Sequence, residues 1–189
     1  MKKQVFVFLI IAVALSSNLA SGQNGNSVTD LILKSYSSRN YSSENVSDQD
    51  LSLILRCGMR APSSRNGQPW KFTVVRDTAL TKPVIKDIKQ GNVLIIISGP
   101  EGQQENHVVD FDCGLAAENM NIAAQSLGLG ARIYGGPVRS VNSTMKEQLQ
   151  IPAGYSVVTI LRIGHMDNSV DAVSAASTRK NFEDVVNFR

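Results

Sequence analysis

The sequence predicts one domain in which a β-sheet is covered by helices. Two short runs rich in β-branched residues, 72–76 (FTVVR) and 93–98 (VLIIIS), are too short for core helices and read as strands, and residues 131–134 and 157–163 read as two more. Segments with helical apolar spacing alternate with them along the chain. No repeat, low-complexity tract or linker divides the chain after residue 22. Strands and helices mixed in this way indicate a sheet with helices packed on it.

The first residues stand apart from that domain. Lys2 and Lys3 are followed by an unbroken apolar run over residues 5–15, then by a polar stretch with small residues over 16–25. This is the order of a secretory signal peptide, and the apolar run is short for a bilayer span. Ala20-Ser21-Gly22 supplies small residues where a signal peptidase reads. Cleavage is therefore expected near Gln23, with residues 1–22 as the signal and 23–189 as the folded domain. An uncleaved membrane anchor is the alternative. No Cys follows the apolar run for lipid attachment, and there is no twin Arg, so export is expected as an unfolded chain that acquires any cofactor afterwards. The expected location is periplasmic or extracellular, without stable membrane insertion.

Loss of Lys2 and Lys3 lowers the formal net charge from +3 to +1, and no basic cluster suggests nucleic acid. The two cysteines, Cys57 and Cys113, both fall in apolar helical patterns and form no disulfide framework, so buried free thiols are expected.

Residues 27–36 carry Val28, Leu31 and Ile32 at helical spacing. Ser47 is placed to cap a second helix, with Asp50 three positions on. Leu51, Ile54, Leu55 and Gly58 then share one face, until Ala61-Pro62 stops the helix. Residues 81–90 are expected as a short helix starting near Pro83, and residues 143–149 as another. Residues 107–127 form the longest helical pattern, with Phe111, Leu115, Ile122 and Leu127 apolar and alanines between them. It is expected to be buried on most of its surface and capped by Gly128. After Gly164 the chain turns polar, then basic at Arg179-Lys180, and ends with Phe182, Val185, Val186 and Phe188. An apolar tail on a polar linker needs a surface to lie on, in its own domain or on a second subunit.

The common catalytic patterns are absent: no P-loop, no G-x-G-x-x-G after a strand, no G-x-S-x-G, no H-E-x-x-H and no C-x-x-C. His107 and His165 are far apart and read as ordinary polar residues. Asp110, Asp112 and Glu118 share one helix, which a solvated or N-terminal helix face explains as well as acid–base work does. Asn40-Tyr41-Ser42, Asn45-Val46-Ser47 and Asn142-Ser143-Thr144 match the glycosylation pattern, which matters only in a host that glycosylates.

One segment asks for more than a turn. Pro62-Ser63-Ser64-Arg65-Asn66-Gly67-Gln68-Pro69-Trp70 packs two hydroxyls, two amides and a guanidinium between a helix and a strand. It reads either as a hydrophilic loop over a buried Trp70 or as a site that hydrogen-bonds a flat, heteroatom-rich ligand along one edge. Its pattern, P-S-S-x-N-x-Q-P-W, resembles the flavin-binding loop of the nitroreductase family. Ser35-Tyr36-Ser37-Ser38-Arg39-Asn40-Tyr41 resembles the family's R-x-S-x-R-x-F/Y segment, with Ser35 at the position of its first arginine and Lys34 beside it. Asp112-x-Gly114-x-Ala116-Ala117-Glu118-Asn119, running to Gly128-Leu129-Gly130, resembles the family's long central helix. Arg179-Lys180 and the apolar tail resemble its basic C-terminal element.

The resemblance implies an α+β fold, a central mostly antiparallel sheet flanked by helices, in a homodimer whose subunits exchange C-terminal extensions and build FMN sites at their interface. It implies that Ser37 and Arg39 contact the ribityl phosphate and flavin edge, and that Ser63, Ser64, Asn66 and Gln68 reach FMN across the interface. Gly135 and Gly136 would present backbone N–H groups to the ring, and Arg179 and Lys180 would hold the phosphate. No acid–base residue is then needed, because the flavin carries the chemistry. The implied activity is ping-pong reduction of nitroaromatic or quinone-like acceptors by NAD(P)H or another donor. A flavin-dependent oxidase or dehalogenase, or a non-catalytic flavin-binding protein, are the alternatives on the same fold. Residues 77–107 are short compared with relatives that roof the pocket there, which implies an open pocket.

Overall fold

Residues 93–97 are apolar without alternation because the strand they form is covered on both faces. The computed structural model describes residues 27–102, 107–169 and 178–189. The expected signal segment and its cleavage point lie outside them. In chain order the elements are α1 (Ser27–Lys34), α2 (Asp48–Met59), β1 (Lys71–Val75), α3 (Thr78–Thr81), β2 (Val93–Pro100), α4 (Val108–Ser126), β3 (Gly130–Tyr134), α5 (Val138–Thr144) and β4 (Tyr155–Gly164). The strands form one sheet in the order β1-β2-β4-β3, with each neighbouring pair antiparallel. The fold is thus α+β, with the antiparallel sheet and flanking helices that the resemblance implied.

β2 and β4 are the inner strands. Val93, Ile95 and Ile97, with Leu161 and Ile163, face a core shared with α2 and α4. Leu94, Ile96 and Ile160 face a second core, closed by Val84, Ile85 and Ile88 and by Val141, Met145 and Leu149. Burying one such aliphatic side chain is worth about 1.5–3 kcal/mol.

The cap expected at Ser47 is present: its Oγ accepts the Asp50 N–H at 3.0 Å and donates to Asp50 Oδ2 at 2.7 Å. α2 buries Leu51, Ile54 and Gly58 against α4. At the C-terminus of α4, Gly128 adopts φ +76°, as expected for a helix stop. Its N–H donates to Gln125 O at 3.0 Å, and Leu129 N–H donates to Ala124 O at 3.0 Å.

Four expectations need correction. Residues 81–90 do not form a helix; α3 is a single turn capped by Asp77, and turns follow it. Pro83 has no N–H to donate to Ala79 O, which interrupts the ladder, and beyond it the Val84 and Ile85 N–H groups both return to Thr81 O as a turn. The helix expected over residues 143–149 is α5, which begins at Val138, behind Pro137, because proline favours a helix start. α4 buries one face only. That face carries Val109, Asp112, Cys113, Ala116, Ala117, Met120, Ala123 and Ala124, whereas Phe111 is 65% exposed. Finally, both cysteines are free, but Cys57 is only partly buried.

Cys113 is fully buried, and burial, with the nearby Asp110 and Asp112 carboxylates, pushes its thiol up to about 12. The thiolate is the reactive form. Iodoacetamide at pH 8.5 should therefore leave Cys113 unmodified in the native protein and label it after denaturation, read by peptide mass mapping. Native labelling at Cys113 would contradict this packing.

Candidate functional site

The polar segment of residues 62–70 is seated on buried elements at both ends. Arg60 closes α2: its N–H donates to Cys57 O at 3.1 Å, and the Ala61 N–H donates to Gly58 O at 3.2 Å. Trp70 is buried and stacks on Phe72, with ring centroids 6.3 Å and planes 4° apart. Between these ends the backbone is strained. Ser64–Asn66 form one 3-10 turn, and Arg65, Asn66 and Gln68 have φ of 51°, 55° and 45°. A non-glycine residue held there costs about 1–3 kcal/mol and persists only where its surroundings hold it.

Part of that hold is internal. Asn66 N–H donates to Ser63 O at 3.0 Å, Gly67 N–H to Ser64 O at 2.9 Å, and Gln68 N–H to Ser63 Oγ at 3.0 Å. The Gln68 amide donates to Asn66 O and Oδ1 at 3.3 Å each. Ser64, Asn66 and Gln68 are exposed, and Ser63 is half-buried.

The hold from outside is Asp112 of α4. Its carboxylate is 3% exposed, and both oxygens accept the Ser64 N–H at 3.1 Å. Ser63, Ser64, Asp112, His107, Phe111 and Leu115 help to line a cavity of about 750 Å³ beside the loop.

Ser37 and Arg39 lie elsewhere, on an extended segment paired with β3. Ser38 N–H donates to Ala131 O at 3.0 Å, and Ala131 N–H donates to Ser38 Oγ at 3.2 Å. Ser38 is buried, while Ser37 and Arg39 on either side are exposed. Gly135 and Gly136 follow the far end of β3, about 13 Å of strand from Ala131. No atom lies within 4 Å of where a Cβ would stand on either, so that backbone is open to approach. Arg179 and Lys180 are exposed, beyond residues 170–177, which lie outside the described part.

The expected site residues thus fall into separate groups. Ser63, Ser64, Asn66 and Gln68 share one loop, and Ser37, Arg39, Gly135 and Gly136 share the β3 edge. Among the described residues, no hydrogen bond joins the loop to Ser37 or Arg39. Ser35 turns its hydroxyl back to Ile32 O at 2.8 Å. Lys34 instead lines a cavity of about 240 Å³ with Tyr36, Ser38 and Gly130.

Other sequence features receive structural roles. Asn142 donates to Val157 O at 2.9 Å and accepts Val157 N–H at 2.7 Å, which ties up its amide. His165 lies 3.7 Å from Glu44, and His107 borders the larger cavity. Among the described residues, no cluster of His, Cys, Asp or Glu could hold a metal, and no helix is long and apolar enough to cross a membrane.

In sequence, Asp112 stands between a solvated or N-terminal helix face and acid–base work; what sequence reasoning missed is its role as the buried acceptor that holds the loop. The available signal was its place on the buried stripe of α4, three residues after Val109 and four before Ala116. Asp112→Ala removes the acceptor for Ser64 and should destabilise the fold by about 1–3 kcal/mol in urea denaturation. Asp112→Asn keeps an acceptor and should recover at least half of that loss. Equal losses in the two variants would show that charge, rather than the hydrogen bond, holds the loop.

Comparison with known proteins agrees with this architecture. The family model described as "Nitroreductase family" matches residues 32–93 and 86–165. An Archaeoglobus fulgidus protein named "Putative NADH dehydrogenase/NAD(P)H nitroreductase" is 32% identical over 146 residues, covering 72% of this chain and 84% of the relative. A crystal structure described as "a putative nitroreductase in complex with fmn", from Desulfovibrio desulfuricans, superposes with a TM-score of 0.74 at 28% identity, covering 87% of this chain and 98% of the other. A nitroreductase with bound FMN from Desulfitobacterium hafniense shares the fold at a TM-score of 0.73 and 20% identity, covering 87% and 99%. A family match over more than half of the chain, together with a relative 32% identical across most of both sequences, establishes that this chain belongs to the nitroreductase family.

Proposed function

We propose that the protein is an FMN-dependent oxidoreductase that passes hydride from NAD(P)H or another donor to nitroaromatic or quinone-like acceptors in ping-pong turnover. The observation that carries this reading is the loop of residues 63–68. Hydroxyl and amide groups stand exposed on a strained backbone that Asp112 holds from beneath. Strain kept at such a cost beside a 750 Å³ cavity fits a ligand edge better than a surface turn. The names of the relatives support oxidoreductase chemistry.

The donor set suits FMN. Ser37 and the Arg39 guanidinium are exposed side by side on one extended segment, as a phosphate requires. Gly135 and Gly136 leave open backbone at the other end of the same edge, where a ring could approach. Ser64, Asn66 and Gln68 offer hydrogen bonds to a pyrimidine edge, and Arg179 and Lys180 are further phosphate partners. Bound FMN would supply the hydride chemistry, and the protein supplies position and electrostatics.

A homodimer is part of the proposal, because it would bring the loop of one chain to the β3 edge of the other. Supporting it, Leu33, Leu53, Met59 and Phe111 are exposed on α1, α2 and α4, as are Phe182, Val185 and Phe188 in the tail. Exchange of these tails between subunits would cover both sets. The Lys2-Lys3 start and the apolar run that follows support export, so the donor would have to act outside the cytoplasm. A non-catalytic flavin-binding protein is the second reading. The specific observation in its favour is Ser35, whose hydroxyl is engaged by Ile32 where the family has arginine.

Titration of the purified protein with FMN should perturb the flavin absorption bands saturably at one FMN per chain, and NADPH should then bleach them. Saturable binding with no reduction by any donor would favour the second reading, and no binding would remove both. Arg39→Ala should weaken FMN binding about tenfold or more, the usual cost of a lost charged hydrogen bond. Light scattering with FMN present should return twice the chain mass; a monomer would exclude a site shared between subunits.

A further inference from the structure

Arg162 is the largest fully buried side chain among the described residues, and neither apolar core accounts for it. It stands on β4 at 1% exposure, directly across the ladder from Arg132 on β3. A buried cation opposite a second cation is a costly placement. Its partners are specific. Arg162 Nε and Nη2 donate to Asn92 Oδ1 at 3.0 and 2.8 Å, and Nη1 donates to Asp87 Oδ2 at 3.1 Å. On its flat face lies the Tyr41 ring, with Cζ 3.9 Å from the centroid.

Tyr41 has little freedom to be anywhere else. Gly130 and Gly164 are cross-strand partners, and a Cβ on either would stand 3.0 Å from the ring. The two missing side chains make a slot that admits the ring flat against the sheet. Its hydroxyl donates to Ser38 O at 3.2 Å. The segment carrying Arg39 is thus fastened at one end by Ser38 to Ala131 and at the other by Tyr41 to Arg162. Apolar packing would hold the strand equally well without burying a charge. What a cation–ring contact in a glycine slot adds is a fixed lateral position for the short stretch between the fasteners.

We propose that Arg162, acting through Tyr41, is a positioning residue that sets the Ser37–Arg39 segment for the phosphate of FMN. This rests on the reading of Ser37 and Arg39 as phosphate ligands. It goes beyond that reading by giving phosphate recognition a support on β4, a strand that contributes no ligand of its own.

Riboflavin, which lacks the phosphate, separates positioning from general stability. The full-length protein and its Tyr41→Leu, Tyr41→Phe and Arg162→Lys variants would be titrated with FMN and with riboflavin, with folding checked by circular dichroism. Tyr41→Leu and Arg162→Lys should lose about tenfold or more in FMN affinity, with riboflavin affinity within about threefold of the parent. Tyr41→Phe keeps the ring and should stay within about threefold for both flavins. If Tyr41→Leu does not fold, Arg162→Lys decides. Folded variants that keep the parental ratio of FMN to riboflavin affinity would overturn the proposal, and so would variants that lose both flavins equally. A parent protein that binds the two flavins equally would instead overturn the phosphate reading of Ser37 and Arg39, and the proposal with it.

Discussion

How closely α4 can lie on the sheet sets the position of nearly everything else in this protein. Half of its buried face is alanine, Ala116, Ala117, Ala123 and Ala124, side chains too short to hold the helix away from Ile95, Ile97 and Leu161. Two larger residues on that face, Val109 and Met120, drop into gaps left by glycine. A Cβ at Gly99 of β2 would stand 2.2 Å from Val109, and one at Gly58 of α2 would stand 2.6 Å from Met120. Tight packing of this kind tolerates little change in volume and transmits position from element to element. α2 is therefore registered against α4, and the polar loop leaving α2 starts from a defined place.

Polar anchors then do for the ligand-facing segments what apolar packing does for the core. The loop of residues 63–68 is held by one buried carboxylate, and the segment of residues 37–39 by a serine and an arginine–tyrosine contact. Each anchor is buried and each directs its hydrogen bond or ring face to one place. A backbone with three left-handed residues, or an extended segment at a sheet edge, has no core of its own to define it. Directional contacts supply what it lacks, and the side chains beside them stay exposed.

The division of labour suits cofactor chemistry. A fold with no metal-holding cluster among its described residues can still run a redox reaction if it fixes a flavin and leaves one ring face accessible. The two groups of expected ligands lie on separate elements of one chain, while apolar side chains remain exposed on α1, α2, α4 and the tail. Both features are accounted for if the working site is completed by a second chain.

Much of the fold was legible in the sequence because it rests on local rules. The four strands, the Ser47 cap, the Gly128 stop and the P-S-S-x-N-x-Q-P-W loop all declare themselves within a few residues. Local rules also failed in an instructive way. Residues 81–90 have helical spacing but lose the ladder at Pro83, and Phe111 belongs to the apolar pattern of α4 yet points away from the core. What the sequence alone determined was the class of fold, the flavin-type loop and which residue types were available to hold a phosphate. Only the tertiary structure decided that Asp112 reaches back 48 residues to Ser64, and that Arg162 meets Tyr41 in a slot made by two glycines from different strands. Those contacts join residues far apart in the chain, and their energy comes from burial and direction. Neither quantity exists until the sheet and α4 have closed around them.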